Sequence, residues 1–236
     1  MIRETNALGT DVVSCIIPVH NGEPYLREAL DSVFAQTYRP IEVIVVDDGS
    51  TDNTERTVAE YDRQLVYVRQ QNAGPASARN HGVRVAQGEF VAFLDADDLW
   101  RQDKLELQMR RFQTRRDLDY CVTHCQNFWV PELIQEAETY RNHRISLPMP
   151  GYVTGTLTAR RAAFDVVGPF NIKLNHGDST DWFLRASERG LKEELLPDVL
   201  MHRRMHPKNR SRIRAQSSRD HYLHLLKETL DRRRNK

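Results

Sequence analysis

The sequence predicts an α/β fold with a mostly parallel central sheet flanked by helices, and three observations predict it. Short β-branched apolar runs alternate with amphipathic stretches through the first hundred residues, the pattern of strand, crossover helix and next strand. The run from Ile41 to Val46 is apolar at almost every position, as in a strand covered on both faces. Polar or acidic clusters follow three of the four runs, at His20-Asn21, Asp47-Asp48 and Asp95 to Asp98. In such sheets ligands bind at the carboxyl ends of the strands.

Each element has its own signal. Val12 to Val19 reads as a strand ending in the loop His20-Asn21-Gly22. From Pro24, apolar residues at Leu26, Ala29, Leu30, Val33 and Phe34 follow helical spacing, and Pro24 suits a first turn. After the second strand, Ser50 or Asp52 can cap a helix running to about Asp62. Leu65 to Val68 is a third strand and Ala76 to Ala86 a helix stopped near Gly88. Phe90 to Leu94 is the fourth strand, and Asp95-Ala96-Asp97-Asp98 sits at its end. Beyond it the expected elements are a helix over Lys104 to Phe112 and a strand over Tyr120 to Phe128. An irregular polar stretch covers residues 130–150. Gly151 to Arg161 reads as a strand leading into a short helix, and a helix over Asp181 to Arg189 is ended by Gly190.

Composition limits the function classes. The chain has 236 residues, 39% hydrophobic and 28% charged, enough for one domain with a substantial core. A formal net charge of +1 gives no case for nucleic-acid binding. Three cysteines do not make a disulfide framework, the first ten residues lack an apolar core, and no apolar run approaches about 18 residues. The expectation is a cytoplasmic protein, with peripheral contact at the inner membrane face left open. That contact, or a homodimer, would use a basic amphipathic helix over about residues 216–236, which carries Tyr222, Leu223, Leu225, Leu226 and Leu230. Cys121, His124 and Cys125 are a poor zinc site, because strand alternation sends His124 to the face opposite the cysteines.

The acidic cluster carries the chemistry. A hard cation such as Mg²⁺ or Mn²⁺ takes oxygen ligands from one or two carboxylates plus substrate phosphates. A helix cap needs one Asp, whereas Asp95, Asp97 and Asp98 occupy three of four positions. Asp47-Asp48 can accept hydrogen bonds from a nucleobase or ribose, although Asp-Gly-Ser-Thr-Asp is also good turn material.

Four segments in order resemble the signatures of family 2 glycosyltransferases with the GT-A fold. They are Cys15 to Gly22, Ile44 to Asp52, Asn72 to Asn80 and Phe93 to Asp98. Val167 to Phe170, Asp178 to Arg185 and Arg204 to Asn209 resemble the family's acceptor half. The resemblance implies one GT-A domain, with a nucleotide-sugar half over about 10–100 and an acceptor half over about 101–215. It implies transfer of a sugar, with inversion, from a nucleoside diphosphate donor, with uridine the first choice, to a hydroxyl of a glycan, lipid-linked or protein acceptor. Pro18, His20, Asn21, Glu23, Asp47, Asp48, Arg79, Asp95, Ala96 and Asp97 would bind the donor. Asp97, Asp95 and His206 would hold Mn²⁺ or Mg²⁺. Asp178 or Asp181 would be the general base, because Ser179 stands where many members carry the basic Asp. Two rivals are a weakly catalytic nucleotide-sugar binder, suggested by Ser179, and a nucleotidyltransferase. The latter usually carries a Gly-rich basic loop that His20-Asn21-Gly22-Glu23 is not.

Overall fold

The computed structural model describes residues 11–174 and 177–213; the C-terminal helix expected over about 216–236 lies outside the described residues. The first half follows the alternation. β1 (Val13–Val19), α1 (Leu26–Phe34), β2 (Ile41–Asp47), α2 (Thr54–Ala59), β3 (Val66–Arg69), α3 (Pro75–Val85) and β4 (Phe90–Phe93) succeed one another. β1 pairs in parallel with β2 and β4, and β2 pairs in parallel with β3. Every residue of β1 is buried, which is why this strand reads as an unbroken apolar run.

The second half completes one mixed sheet. β5 (Leu99–Trp100) leads to α4 (Lys104–Thr114) and β6 (Tyr120–Trp129). The stretch expected to be irregular holds two 3₁₀ turns, α5 (Ile134–Thr139) and β7 (Met149–Pro150). β8 (Thr158–Arg160), α6 (Ala163–Val167), α7 (Asp178–Glu188), β9 (Glu193–Met205) and α8 (Arg210–Ile213) follow. The sheet order is β3-β2-β1-β4-β8-β6-β9-β5, with β7 paired on β6. The long pairings are parallel, β6 with β9 included, while β8 runs antiparallel between β4 and β6.

Several boundaries move. Gly151 to Arg161 contributes only the three-residue β8, because a 3₁₀ turn occupies Thr154–Thr156. α7 starts at Asp178, three residues before the expected start, since Gly177 in the left-handed region supplies the break. Two apolar layers cover the sheet, one against α1 and α4 and one against α3, α6 and α7. Cys121 and Cys125 are buried with the first layer, as alternation requires.

β9 is the position that matters for function. It pairs with β6 along ten residues and with β5 at Leu99↔His202. The carboxyl end of β9 therefore lies beside the loop between β4 and β5. That loop is Asp95 to Asp98.

Candidate active site

Four loops meet at the carboxyl edge of the parallel strands. The first is latched to the second by consecutive amides. Asn21 N donates to Ser50 Oγ (2.9 Å), Gly22 N to Thr54 Oγ1 (2.9 Å) and Glu23 N to Asp52 Oδ2 (3.1 Å). Asn21 sits in the left-handed region (φ 54°), which Asn tolerates better than most residues, and its Oδ1 accepts from Thr51 N. A Cβ on Gly22 would lie 2.3 Å from Val19 Cγ2, so the loop needs glycine there. Glu23 is exposed and accepts from Asn53 Nδ2, and Pro18 is buried inside β1. His20 is exposed, with Nδ1 2.9 Å from the Asp48 carbonyl oxygen and its ring within 3.1 Å of Asn72 Nδ2. A carbonyl only accepts, so the Nδ1-protonated tautomer fits.

The Asp47-Asp48 pair, expected to accept from a nucleoside, faces inward in this structure. Asp47 is fully buried and accepts from Ser50 N and Tyr67 Oη, both at 2.7 Å. Asp48, 3% exposed, accepts from Gln70 Nε2, Ala73 N and Gly74 N, each at 2.8 Å. These two carboxylates pin the loop donors around them, buried and part-buried alike. Polar side chains left exposed at this end include those of His20, Asn21, Glu23, Thr51, Asn53 and Asn72.

Arg79 on α3 organises the middle of the site. Its guanidinium is 7% exposed and bridges Asp95 (2.6 Å) and Asp178 (2.8 Å). Burial would lower its pKa, but the charges of the two carboxylates outweigh burial and push it up. Arg79 Nε is buried with no hydrogen-bond partner among the described residues, an arrangement that costs about 1–3 kcal/mol. Ala96 packs on the first apolar layer, close to the position a Gly22 side chain would take.

Asp97 and His206 form the other half. Asp97 Oδ2 lies 2.9 Å from His206 Nε2 and 3.4 Å from Asn209 Nδ2. The Asp97 side chain keeps 34% exposure, while His206 is nearly buried. Asp98 is buried and accepts from Arg204 N, and its pKa is raised by burial first and then by the charges of Asp97 and Asp95. Lys208 and Arg210 are exposed beside this turn.

Two sequence expectations change here. Among the described residues no three His, Cys, Asp or Glu side chains converge as a metal cluster. The structure pairs Asp97 with His206 and leaves Asp95 Oδ1 on Arg79. The two candidate bases also separate. Asp178 joins the Arg79–Asp95 network, whereas Asp181 is 3% exposed and salt-bridged to Arg185 (2.8 Å). Arg185 in turn donates to the Val167 and Pro169 carbonyls, so Asp181 braces the connection between α6 and α7.

Arg204, the first residue of a segment that resembles the family's acceptor half, has no role assigned from the sequence. Its backbone N–H donates to Asp98, its Nε to the Asp97 carbonyl oxygen (2.9 Å) and its Nη2 to Glu28 (2.9 Å). The guanidinium carbon lies 4.6 Å from the Tyr25 ring centre and 4.8 Å from that of Phe128. Pairing within β9 turns Arg204 inward.

This fold is that of GT-A glycosyltransferases. The crystal structure of S. aureus TarS 1-349 in complex with UDP-GlcNAc matches with a TM-score of 0.68 at 24% identity, over 84% of this chain and 59% of that one. The UDP complex matches with a TM-score of 0.66 at 23% identity, over 83% and 61%. The model of glycosyl transferase family 2 matches residues 14–172, and the chain belongs to that family. A glycosyltransferase of Rickettsia typhi is 42% identical over 209 residues, 81% of this chain and 64% of that protein. TuaG of Bacillus subtilis, a glycosyltransferase assigned to teichuronic acid biosynthesis, is 40% identical over 117 residues, 48% of this chain and 46% of TuaG. The chain therefore spans less than two thirds of the length of these relatives. No helix among the described residues is long and apolar enough to cross a membrane.

Proposed function

We propose that the chain transfers a sugar, with inversion, from a UDP-sugar to an acceptor hydroxyl, assisted by a divalent cation held at Asp97 and His206. The observation that carries this reading is the meeting of Asp97 with His206, and of Arg79 with Asp95 and Asp178, at one sheet edge. TarS structures of the same fold hold UDP and UDP-GlcNAc.

The donor set fits a cation. One carboxylate and one imidazole leave most of a coordination shell for substrate phosphate and water, and the imidazole favours Mn²⁺ over Mg²⁺. When bound, the ion would offset the charge that develops on the leaving diphosphate. His206 would give up its Nε2 proton to serve as a ligand, since that nitrogen now faces Asp97. Arg79 would place its positive charge beside the diphosphate while holding Asp178 in place. His20, Asn21 and Asn72 would receive the nucleoside, and Asp178 would take the proton of the attacking hydroxyl.

The test is release of UDP from UDP-glucose, UDP-galactose and UDP-GlcNAc in the presence of Mn²⁺. Release that EDTA abolishes is expected, with Asp97→Asn lowering kcat by roughly 10²-fold, the effect typical of losing one electrostatic stabiliser. Binding of every donor without release or transfer would reject the enzyme reading in favour of a binder. Undiminished release in EDTA would reject the metal.

A further inference from the structure

We propose that Arg204 is a positioning residue that sets the spacing of Asp97 and His206 for the cation, an inference that rests on the metal reading above. The acidic loop is gripped on two sides by buried guanidinium groups, and the two grips differ in kind. Arg79 holds Asp95 by its carboxylate. Arg204 holds Asp97 by its main-chain carbonyl, which leaves the Asp97 carboxylate for His206.

The same residue also fixes the histidine. The Arg204 carbonyl accepts from Asn209 Nδ2 (3.0 Å), and Asn209 Oδ1 accepts from His206 N (2.6 Å). The Tyr25 ring contacts both residues, its centre 4.6 Å from the guanidinium carbon and 5.0 Å from the centre of the His206 ring. Arg204 thus holds Asp97 directly and reaches His206 through Asn209 and Tyr25, bonding to neither ligating atom. Its side chain is 8% exposed, and aromatic rings within 5 Å on Tyr25 and Phe128 restrain the plane of its fork. Lysine at this place would keep the charge but lose the planar donor set.

The experiment measures Mn²⁺ binding to the full chain at saturating UDP, read from loss of the free aqueous Mn²⁺ paramagnetic resonance signal, with thermal unfolding in parallel. Arg204→Lys is expected to raise the Mn²⁺ dissociation constant roughly 10-fold or more, as loss of an outer partner of a metal ligand does. Because the charge is kept, that change reports geometry. Phe128→Leu removes one flanking ring without changing charge, and is expected to weaken Mn²⁺ binding roughly 2- to 5-fold. This variant decides the question if Arg204→Lys does not fold. A merely structural Arg204 would lower the unfolding midpoint and leave the Mn²⁺ constant of the folded protein unchanged, and that result overturns the proposal. If the wild type takes up no Mn²⁺ at all, the metal reading falls and this inference falls with it. Binding equal in wild type and variant removes this inference alone.

Discussion

Asp178→Asn should lower kcat for UDP release, to water or to acceptor, by roughly 10²- to 10⁴-fold, the usual contribution of a general base. Asp181→Asn should leave kcat within a few-fold. The geometry makes the distinction. Asp178 shares Arg79 with Asp95, in the loop that also carries Asp97, at the edge where the donor would lie. Asp181, one helical turn on, has its carboxylate bound to Arg185, whose guanidinium already holds two backbone carbonyls. Asn at 181 would replace a nearly buried charge with a weaker acceptor, so the expected loss is in stability, about 1–3 kcal/mol by urea unfolding. Donor KM in Asp178→Asn should change far less than kcat, since Arg79 keeps Asp95. Wild-type kcat in Asp178→Asn would eliminate it as the base. A kcat loss in Asp181→Asn at unchanged stability would move the base there.

Lys104→Met should stabilise the fold at neutral pH, by up to about 5 kcal/mol, with an advantage that shrinks as pH rises. Lys104 is fully buried. Its Nζ donates to Gln108 Oε1 (2.7 Å) and lies 4.2 Å from the Trp100 ring centre. Burial lowers its pKa from 10.5 to about 7. The difference, 10.5 less about 7, is about 3.5 pH units; at about 1.4 kcal/mol per unit this gives the figure above. The sign follows from proton counts. Between pH 7 and 10.5 the unfolded chain binds the proton and the folded chain largely does not, so wild-type stability rises with pH through that window. Well below pH 7 the whole penalty remains. The difference between variant and wild type should therefore fall by about 1 kcal/mol per pH unit between pH 7.5 and 9. Urea unfolding of both proteins at several pH values measures it. A pH-independent difference would show that Lys104 does not titrate as its burial requires.

The two halves of the molecule were unequally legible in sequence. β1 to β4 could be read because each is an apolar run bounded by polar turns, and Asp95 to Asp98 could be placed because β4 ends just before it. Asp47 and Asp48 show where such reading stops. Their position at a strand end suggests ligand contact, but only the partners Ser50, Tyr67, Gln70, Ala73 and Gly74 reveal carboxylates turned inward. β9 was missed because Glu193-Glu194, Pro197-Asp198 and His202-Arg203-Arg204 break any simple alternation, and its register with β6 shifts near His124. Its strand character comes from pairing on both edges, with β6 and β5, and no local signal encodes that. Arg204 was lost with it. Likewise Asp178 and Asp181 are equivalent as letters in a helix start, and separate only through the distant partners Arg79 and Arg185.

The placement of β9 also gives the chain an uneven tolerance to changes in length. Successive side chains on a strand point to opposite faces, so removing one residue between Asp198 and Arg203 would turn Arg204 away from Asp97 and carry the His206 turn with it. The segment between β6 and β7 meets the body of the protein mainly through Trp129, Gln126, Asn127 and the Glu136–Arg212 pair, and its residues are largely exposed. Extra residues there add only a small closure cost. Proteins that share this architecture should diverge by insertion between β6 and β7 and by substitution alone along β9. That segment can then be rebuilt at will, while the distance between Asp97 and His206 is kept by counting residues.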